Sequence, residues 1–241
     1  MSSHPLSLGP IELGPIPRIA GILERALRPG EADTLWRAGV SVLEFRVDAF
    51  SDGPDAALAA ARDAAGGAFG LLGTVRDTEW RGRERLPVFE RLLEHVHCID
   101  VEFEAPERAD LAALARERGR MSLLSTHDFS RMPADDELQA VLDEARRLKT
   151  DLVKIAAFAQ SRADLLRLLR LCEQTTDLPL IAIAMGPWGL FSRVAAPFYG
   201  SLLSYGFLDQ ANAPGQLSAT ELHSEFLRYH PEYAADSRSR S

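Results

Sequence analysis

The stretch SVLEFRV, residues 41–47, decides the fold because charged side chains interrupt an otherwise apolar run. In a β-strand, residues two apart lie on one face, so Glu44, Arg46 and the next such residue, Asp48, project together. The apolar residues that alternate with them project to the opposite face. The stretch therefore predicts a strand that packs one face on helices and carries charges on the other.

Seven further short apolar runs occur along the chain, with segments of helical character between them. The eight runs are residues 18–22, 41–47, 69–75, 98–103, 121–126, 151–156, 180–185 and 202–208. Strands that alternate with helices are typical of βα units and a parallel sheet. Eight such units predict an α/β protein with a (β/α)8 TIM barrel over about residues 17–230, in a single domain of residues 1–241. A doubly wound open sheet is the alternative.

Two of the intervening segments carry clear helix signals. Pro133 and the acids that follow it open one helix, whose apolar residues repeat at helical spacing as far as Leu148. A second helix runs from Arg108 to Arg118 and ends at Gly119, as helices often end at a glycine.

The two ends of the chain differ from the barrel pattern. Residues 5–16 contain two Gly-Pro steps and predict a β-hairpin that closes the bottom of the barrel. The polar tail, residues 236–241, is predicted to be disordered.

Composition excludes several classes of protein. A formal net charge of −8 argues against a nucleic-acid-binding protein, which needs a basic surface. No apolar run approaches the roughly 18 to 20 residues that span a bilayer, so no membrane association is expected. The two cysteines, Cys98 and Cys172, lack metal or redox spacing and predict structural thiols in a cytoplasmic protein.

Charged residues cluster where each predicted strand ends. Arg76 follows the third run, His127 the fifth and Arg193 the seventh, while Lys154 lies within the sixth. Asp100 and Glu102 repeat on the fourth run the i, i+2 pattern of Glu44 and Arg46. Barrel active sites are built at the carboxyl ends of the strands, and buried charges are costly unless they are paired. The pattern therefore predicts an active site at this face.

Lys154 lies in the apolar run Leu152-Val153-Lys154-Ile155-Ala156, where burial disfavours the ammonium form. A neutral amine can attack a ketone and form an imine. The structural alternative is a lysine that pairs with Asp100 or Glu102 without taking part in chemistry.

The histidines are less specific signals. His127 has an ordinary pKa near neutrality and could transfer protons for an imine, although it could also cap a loop. His95 and His97 precede Cys98, but no further group completes a metal site, so both are predicted to be residues at a helix end or strand start. We expect no metal.

Seven ordered blocks, within about residues 6 to 228, resemble type I 3-dehydroquinate dehydratase. The blocks are EFRVD (44–48), GTVR (73–76), IDVE (99–102), STHDF (125–129), VKIA (153–156), MGPWGLFSR (185–193) and APGQ (213–216). The separation of 27 residues between His127 and Lys154 is also similar to that of the family. Each block alone is weakly specific, whereas the ordered set is strongly specific.

This resemblance implies a hydro-lyase that converts 3-dehydroquinate to 3-dehydroshikimate in the shikimate pathway of aromatic amino acid biosynthesis. Lys154 would form an imine with the C3 ketone. His127 would take a proton from C2 and return one to the leaving C1 hydroxyl. The protonated imine would be the electron sink, so no metal or organic cofactor is needed. The resemblance also implies a homodimer.

The other site residues are carried over by position. Arg193 matches the arginine that receives the substrate carboxylate, and Gln216 matches a lid residue. The remaining matches are Glu44, Arg46 and Arg76, which hold substrate hydroxyls, Asn212, which offers a hydrogen-bonding group to the substrate, and Asp100 and Glu102, which support the lysine and histidine.

The chain departs from the family pattern at three places. Trp80 stands where a glutamate beside the catalytic histidine is usual, unless Glu79 or Glu84 replaces it. Asn212 replaces a serine before APGQ. The first strand has Gly21-Ile22 in place of a terminal serine. Two other functions remain open. Another class I Schiff-base aldolase or lyase could use the same lysine and arginines, and Trp80 with the altered lid would suit a weakly active paralogue that binds a shikimate-type ligand.

Overall fold

The computed structural model describes residues 6–76, 82–211 and 216–239. All eight predicted runs form strands. The strands are β1 (Leu6–Leu8), β2 (Ile11–Leu13), β3 (Arg18–Leu23), β4 (Val40–Arg46), β5 (Gly70–Thr74), β6 (Cys98–Glu102), β7 (Met121–Asp128), β8 (Leu152–Phe158), β9 (Leu180–Met185) and β10 (Leu203–Gly206). The helices are α1 (Glu31–Arg37), α2 (Pro54–Ala64), α3 (Leu86–Leu92), α4 (Arg108–Glu117), α5 (Asp135–Leu148), α6 (Arg162–Gln174), α7 (Ser192–Ala195), α8 (Ala219–Tyr229) and α9 (Pro231–Ser239).

Strands β3 to β10 form one parallel sheet that curls into a nearly closed barrel. The strands pair in sequence order from β3 to β9, and β10 pairs with β3 on the other side. The N–H of Leu202, directly before β10, donates to the carbonyl oxygen of Leu180 at 3.0 Å and so brings β9 beside β10. The predicted TIM barrel is confirmed, and the doubly wound sheet is excluded because no strand order reverses.

The predicted hairpin is present at residues 6–13. Strands β1 and β2 pair antiparallel around Gly9, whose φ of +59° suits a glycine in a tight turn. Leu8, Ile11 and Leu13 are buried in the same cluster as the first inward-facing residues of the barrel strands, such as Val42. The hairpin therefore closes the amino-terminal end of the barrel, as predicted.

The outer face of the sheet packs on the helices. Leu43, Phe45 and Val47 belong to a buried cluster that includes side chains of α2, α3 and α8. Helix α5 begins directly after Pro133-Ala134, and α4 is followed by Gly119 at a φ of +64°, both as the sequence predicts. None of the helices in the described ranges is both long and apolar enough to span a bilayer.

The prediction of disorder over residues 236–241 is wrong for residues 236–239, which belong to α9. The helix is held by tertiary contacts: Tyr233 is buried against Phe226, and Arg18 forms an ion pair with Asp236 at 2.5 Å. The sequence of the tail is polar, so its local pattern gives no sign of these contacts. Residues 240 and 241 lie outside the described ranges, and the assignment of residues 1–241 to one domain stays a prediction.

Candidate active site

The site lies next to the apolar layer at the amino-terminal end of the barrel, on the carboxyl-terminal side of that layer. Val42, Cys98 and Leu152 point inward and are buried with the hairpin. Two residues further along each strand, on the same face, stand Glu44, Asp100 and Lys154. The alternation that predicts the strands therefore also brings these three charged side chains together, at the carboxyl-terminal side of the barrel.

Lys154 is buried between two carboxylates. Its Nζ lies 3.6 Å from Oε2 of Glu44 and 3.6 Å from Oδ2 of Asp100. Only 4% of the residue is exposed. The protein therefore places two opposite charges beside this buried amine within the barrel.

The two carboxylates are held in their ionised form despite complete burial. Burial alone raises the pKa of Glu44 and of Asp100, but Lys154 and Arg76 outweigh it and leave both pKa values below their usual range. Hydroxyl groups add donors: Thr74 Oγ1 donates to Glu44 at 2.8 Å, and Ser125 Oγ donates to Asp100 at 2.5 Å.

Arg76 connects the carboxylates to the histidine. Its Nη2 lies 3.2 Å from Oδ2 of Asp100 and 3.3 Å from Nε2 of His127, and its Nη1 donates to Ser125 Oγ at 3.1 Å. The backbone N–H of Arg76 donates to the carboxylate of Asp48. The same carboxylate accepts hydrogen bonds from Nε and Nη2 of Arg46. The arginines at the ends of β4 and β5 are therefore held in fixed positions.

His127 is a neutral imidazole at neutral pH. Burial, with the nearby cations Arg76 and Lys154, lowers its pKa well below the ordinary value. Because a guanidinium can only donate, Nε2 of His127 accepts from Arg76 and the ring proton lies on Nδ1. An uncharged histidine whose Nε2 carries no proton is suited to act as a general base.

Arg193 is a buried cation of a different kind. It is 3% exposed, and its Nη1 donates to the backbone oxygen of Tyr205 at 3.3 Å. Within the described ranges its Nε has no hydrogen-bond partner and no carboxylate lies within 4 Å. Burial lowers the pKa of Arg193 to about 10, which still leaves it protonated at neutral pH. This guanidinium is arranged to receive an anion.

These side chains line one cavity of about 370 Å³. The residues that line it are Ile22, Glu44, Arg46, Arg76, Glu102, Glu104, His127, Phe129, Lys154, Ala156, Ile183, Met185, Arg193, Tyr205 and Gln216. The structure thus brings every predicted site residue to one place, apart from Asp100, which lies directly beneath, and Asn212, which lies outside the described residues.

Glu102 is oriented away from the lysine. Its Oε2 receives Arg85 Nη1 at 2.5 Å, and its Oε1 lies 3.6 Å from Arg76. Arg85 is fully buried and also binds Glu107 and the backbone oxygen of Val75. Glu102 therefore links the site to a buried ion-pair network that sequence reasoning missed.

The departures from the family pattern have different outcomes. Glu79 and Trp80 lie outside the described residues, and Glu84 is exposed. At Gly21 a Cβ atom would come within 2.7 Å of the end of the Leu208 side chain, so a serine there would require that side chain to move. Ile22, the next residue, lines the cavity.

Tyr205 is the principal residue of the cavity that sequence reasoning missed. Its ring centroid lies 4.2 Å from Nζ of Lys154. Alternation along the eighth run would have placed Tyr205 on the same inward face as Leu203, and a buried tyrosine needs a partner for its hydroxyl.

The remaining histidines and cysteines have structural surroundings. His97 precedes β6 as predicted, and its Nδ1 accepts the backbone N–H of Leu71 at 3.0 Å. Cys98 and Cys172 are buried free thiols. In the part of the chain that the structure describes, no group of three or more His, Cys, Asp or Glu could hold a metal ion.

Comparison with known proteins places this site in a family. A model of type I 3-dehydroquinase matches residues 28–230. The 3-dehydroquinate dehydratase of Pyrobaculum aerophilum is 36% identical over 211 residues, which cover 83% of this chain and 67% of that protein. That of Methanococcoides burtonii is 33% identical over 147 residues, covering 59% of this chain. The match spans only 62% of the length of the Methanococcoides protein.

A solved structure agrees over nearly the whole chain. The crystal structure of 3-dehydroquinate dehydratase from Geobacillus kaustophilus superimposes with a TM-score of 0.81 and 26% identity, covering 95% of this chain and 98% of that chain. The family model covers residues 28–230, and the barrel and its charged layer agree with it. The chain belongs to the type I 3-dehydroquinase family.

Proposed function

We propose that this protein is a hydro-lyase that dehydrates 3-dehydroquinate to 3-dehydroshikimate through an imine on Lys154. The observation that carries the proposal is the shared cavity of three groups: a buried amine, a neutral histidine and a guanidinium with no carboxylate partner among the described residues. The substrate offers one counterpart to each of them: a ketone, an acidic carbon–hydrogen bond and a carboxylate.

Substrate binding would begin at Arg193. A carboxylate that accepts from the buried guanidinium supplies the charge that this cation lacks within the described ranges, and the planar fork favours bidentate contact. The substrate ring would then extend towards Lys154, Arg46 and Arg76, which line the same cavity. Arg46, Arg76, Glu44, Gln216 and Asn212 are proposed to hold its hydroxyl groups.

Imine formation would occur at the charged layer. The attacking amine must be neutral, and Glu44 and Asp100, each 3.6 Å from Nζ, are the nearest groups that can exchange its proton. Loss of the ketone oxygen as water leaves a protonated imine. Its positive charge then lies between the same two carboxylates, so they stabilise the intermediate as well as the free ammonium.

His127 would carry out the proton transfers. Its Nε2 exchanges the hydrogen bond from Arg76 for the proton of C2, and the electron pair of the broken bond moves into the iminium. The histidine then protonates the C1 hydroxyl, which leaves as water, and hydrolysis of the imine frees the product. Asp100 and Glu102 hold Arg76, which contacts Nε2 of His127. We also propose that the protein acts in the shikimate pathway and forms a homodimer. Both proposals rest on the family resemblance.

The test follows product and intermediate together. The protein is mixed with 3-dehydroquinate while the ultraviolet absorbance of the enone product is recorded, and a parallel sample is reduced with borohydride before peptide mass analysis. The chain contains only two lysines, Lys149 and Lys154. Lys149 is exposed at the end of α5, so Lys149→Arg is a matched control that leaves one lysine for the adduct.

We expect enone formation and an adduct on Lys154 in both the parent and Lys149→Arg. Lys154→Ala should lose turnover and adduct together, because no other amine faces the described part of the cavity. Turnover in Lys154→Ala would contradict the imine mechanism. An adduct without enone would indicate a binding paralogue. The absence of both adduct and enone would indicate an enzyme that acts on a different Schiff-base substrate.

A further inference from the structure

Tyr205 contacts both cationic ends of the cavity. It lies on β10, it is 2% exposed, and its backbone oxygen accepts from Arg193. The face of its ring lies over the Lys154 amine, with the ring centroid 4.2 Å from Nζ. The Tyr205 ring contacts the amine of Lys154, whereas only its backbone contacts Arg193, so Tyr205 acts on the amine without neutralising the guanidinium.

The ring can stabilise positive charge on the lysine nitrogen throughout the reaction. An aromatic face attracts a cation that lies within about 6 Å of its centroid, and more strongly when water is excluded. The ammonium and the protonated imine carry their charge at the same nitrogen. The contact is therefore retained when the intermediate forms.

Among the described residues the buried hydroxyl of Tyr205 makes no well-aligned hydrogen bond, and the Glu44 carboxylate lies within its weaker hydrogen-bonding reach. Oε2 of Glu44 is also buried and lacks a hydrogen-bond partner, while Oε1 of the same carboxylate accepts from Thr74. Burial and the Glu44 and Asp100 carboxylates raise the pKa of Tyr205 well above its usual value, so the hydroxyl keeps its proton. A buried donor therefore faces a buried acceptor.

The chemistry of imine formation supplies a reason for this arrangement. An ammonium and a ketone give a protonated imine and one water, so two of the three N–H protons leave with the ketone oxygen and one N–H remains. Glu44 and Asp100, each 3.6 Å from Nζ, therefore face three N–H groups in the ammonium and only one in the protonated imine. A buried carboxylate that loses a donor is costly unless another donor replaces it.

We propose that Tyr205 is a positioning residue for the imine: its ring stabilises the cationic nitrogen of Lys154, and its hydroxyl donates to Glu44 when imine formation removes N–H donors. This inference rests on the proposed imine chemistry. The hydroxyl of Tyr205 should therefore stabilise the intermediate without affecting substrate binding. Arg193, which is proposed to bind the substrate carboxylate, contacts only the backbone of Tyr205.

The test separates ring from hydroxyl. Tyr205→Phe keeps the ring, whereas Tyr205→Leu removes both. We expect kcat to fall about tenfold in Tyr205→Phe because one hydrogen bond to a charged group is lost. In Tyr205→Leu kcat should fall about a hundredfold because the cation–π contact is lost as well. KM should change less than about threefold in Tyr205→Phe, since the substrate carboxylate contact is unaffected.

The fraction of enzyme trapped by borohydride at saturating 3-dehydroquinate should fall in the same order. Tyr233→Phe is the control, because Tyr233 is a buried tyrosine outside the cavity whose hydroxyl contacts His223 at 2.8 Å. Its kcat and trapped fraction should equal those of the parent.

The inference is overturned if the parent forms the adduct and turns over substrate while both Tyr205 variants retain its kcat and trapped fraction. A lower melting temperature with kcat and trapped fraction unchanged would overturn it too, since the role would then be structural. Absence of an adduct in the parent protein would instead reject the proposed imine function, and the inference with it.

Discussion

Lys154 and Arg193 are both buried cations in one cavity, but they have opposite surroundings. Lys154 lies on β8 between Glu44 and Asp100, each 3.6 Å away. Arg193 lies on α7 with a backbone oxygen as its hydrogen-bond partner and, in the ranges the structure describes, without a carboxylate. The protein therefore balances the charge of one cation internally and leaves the other unbalanced.

The difference indicates which group reacts and which group binds. A buried charge without a partner is destabilising, so it is retained where a ligand provides the opposite charge. A reacting amine has a different requirement, because its charge must remain stabilised as it passes from ammonium to iminium. Fixed carboxylates meet that requirement without the substrate.

Among the variants that keep Lys154, the largest effect should follow from removing the unbalanced cation. Arg193→Met keeps an unbranched side chain of similar length, and we expect kcat/KM to fall by about 10² to 10³, because one charged partner of a buried pair is lost from the complex. The unliganded protein should melt at the same or a higher temperature, since a buried unpaired charge is gone. Steady-state kinetics and calorimetry check both.

Arg131→Met is the control for Arg193→Met. Arg131 is an exposed arginine that pairs with Glu137 at the surface, so its replacement should leave kcat/KM unchanged. A large loss of melting temperature in Arg193→Met, with kcat/KM retained, would contradict the contrast between the two cations.

The next effect concerns the balanced cation. Glu44→Gln leaves Lys154 with one carboxylate, and we expect kcat to fall about thirtyfold with a smaller change in KM, because the stabilisation lost is that of the charged intermediate. Initial rates over a range of 3-dehydroquinate concentrations separate kcat from KM. A variant in which KM rises and kcat is constant would mean that Glu44 serves binding alone.

A third effect concerns pH. His127 must be neutral to accept a proton, and its pKa lies well below the ordinary 6.5. Activity should therefore persist as the pH falls through 6.5 and decline only as it passes the lowered pKa, by about tenfold in kcat/KM per pH unit below it. Arg76 is one of the cations that lower this pKa, so in Arg76→Gln the decline should begin at a higher pH. An unchanged pH profile in Arg76→Gln would mean that protonation of His127 does not cause the loss of activity at low pH.

The smallest effect should come from Glu102→Gln. Glu102 pairs with Arg85 and Arg76 and does not pair with Lys154 in the structure. We expect kcat to change less than in Glu44→Gln, while the melting temperature falls because buried Arg85 loses one of its two carboxylates. If kcat fell more in Glu102→Gln than in Glu44→Gln, the assignment of the carboxylates would need to be reversed.

Much of the site could be predicted from local alternation. The i, i+2 pattern at Glu44, Arg46, Asp100 and Glu102, with Lys154 in an apolar strand, predicts that these residues lie at the inner face of a barrel. Alternation depends only on the strand itself, so it is determined by sequence. The same holds for the eight βα units, the order of the motifs and the family resemblance that they carry.

Tertiary structure decided which charges meet. Glu102 pairs with Arg85 while Glu44 and Asp100 pair with Lys154, Arg193 has no described carboxylate partner, and Tyr205 covers the amine. These contacts join residues far apart in the chain, and they depend on barrel closure and strand register. The ordered tail has the same origin, because Asp236 meets Arg18 only in the folded protein. Strand alternation in the sequence specifies the inward charged layer and the chemistry that it could perform, whereas the distances between its members exist only once the barrel has closed.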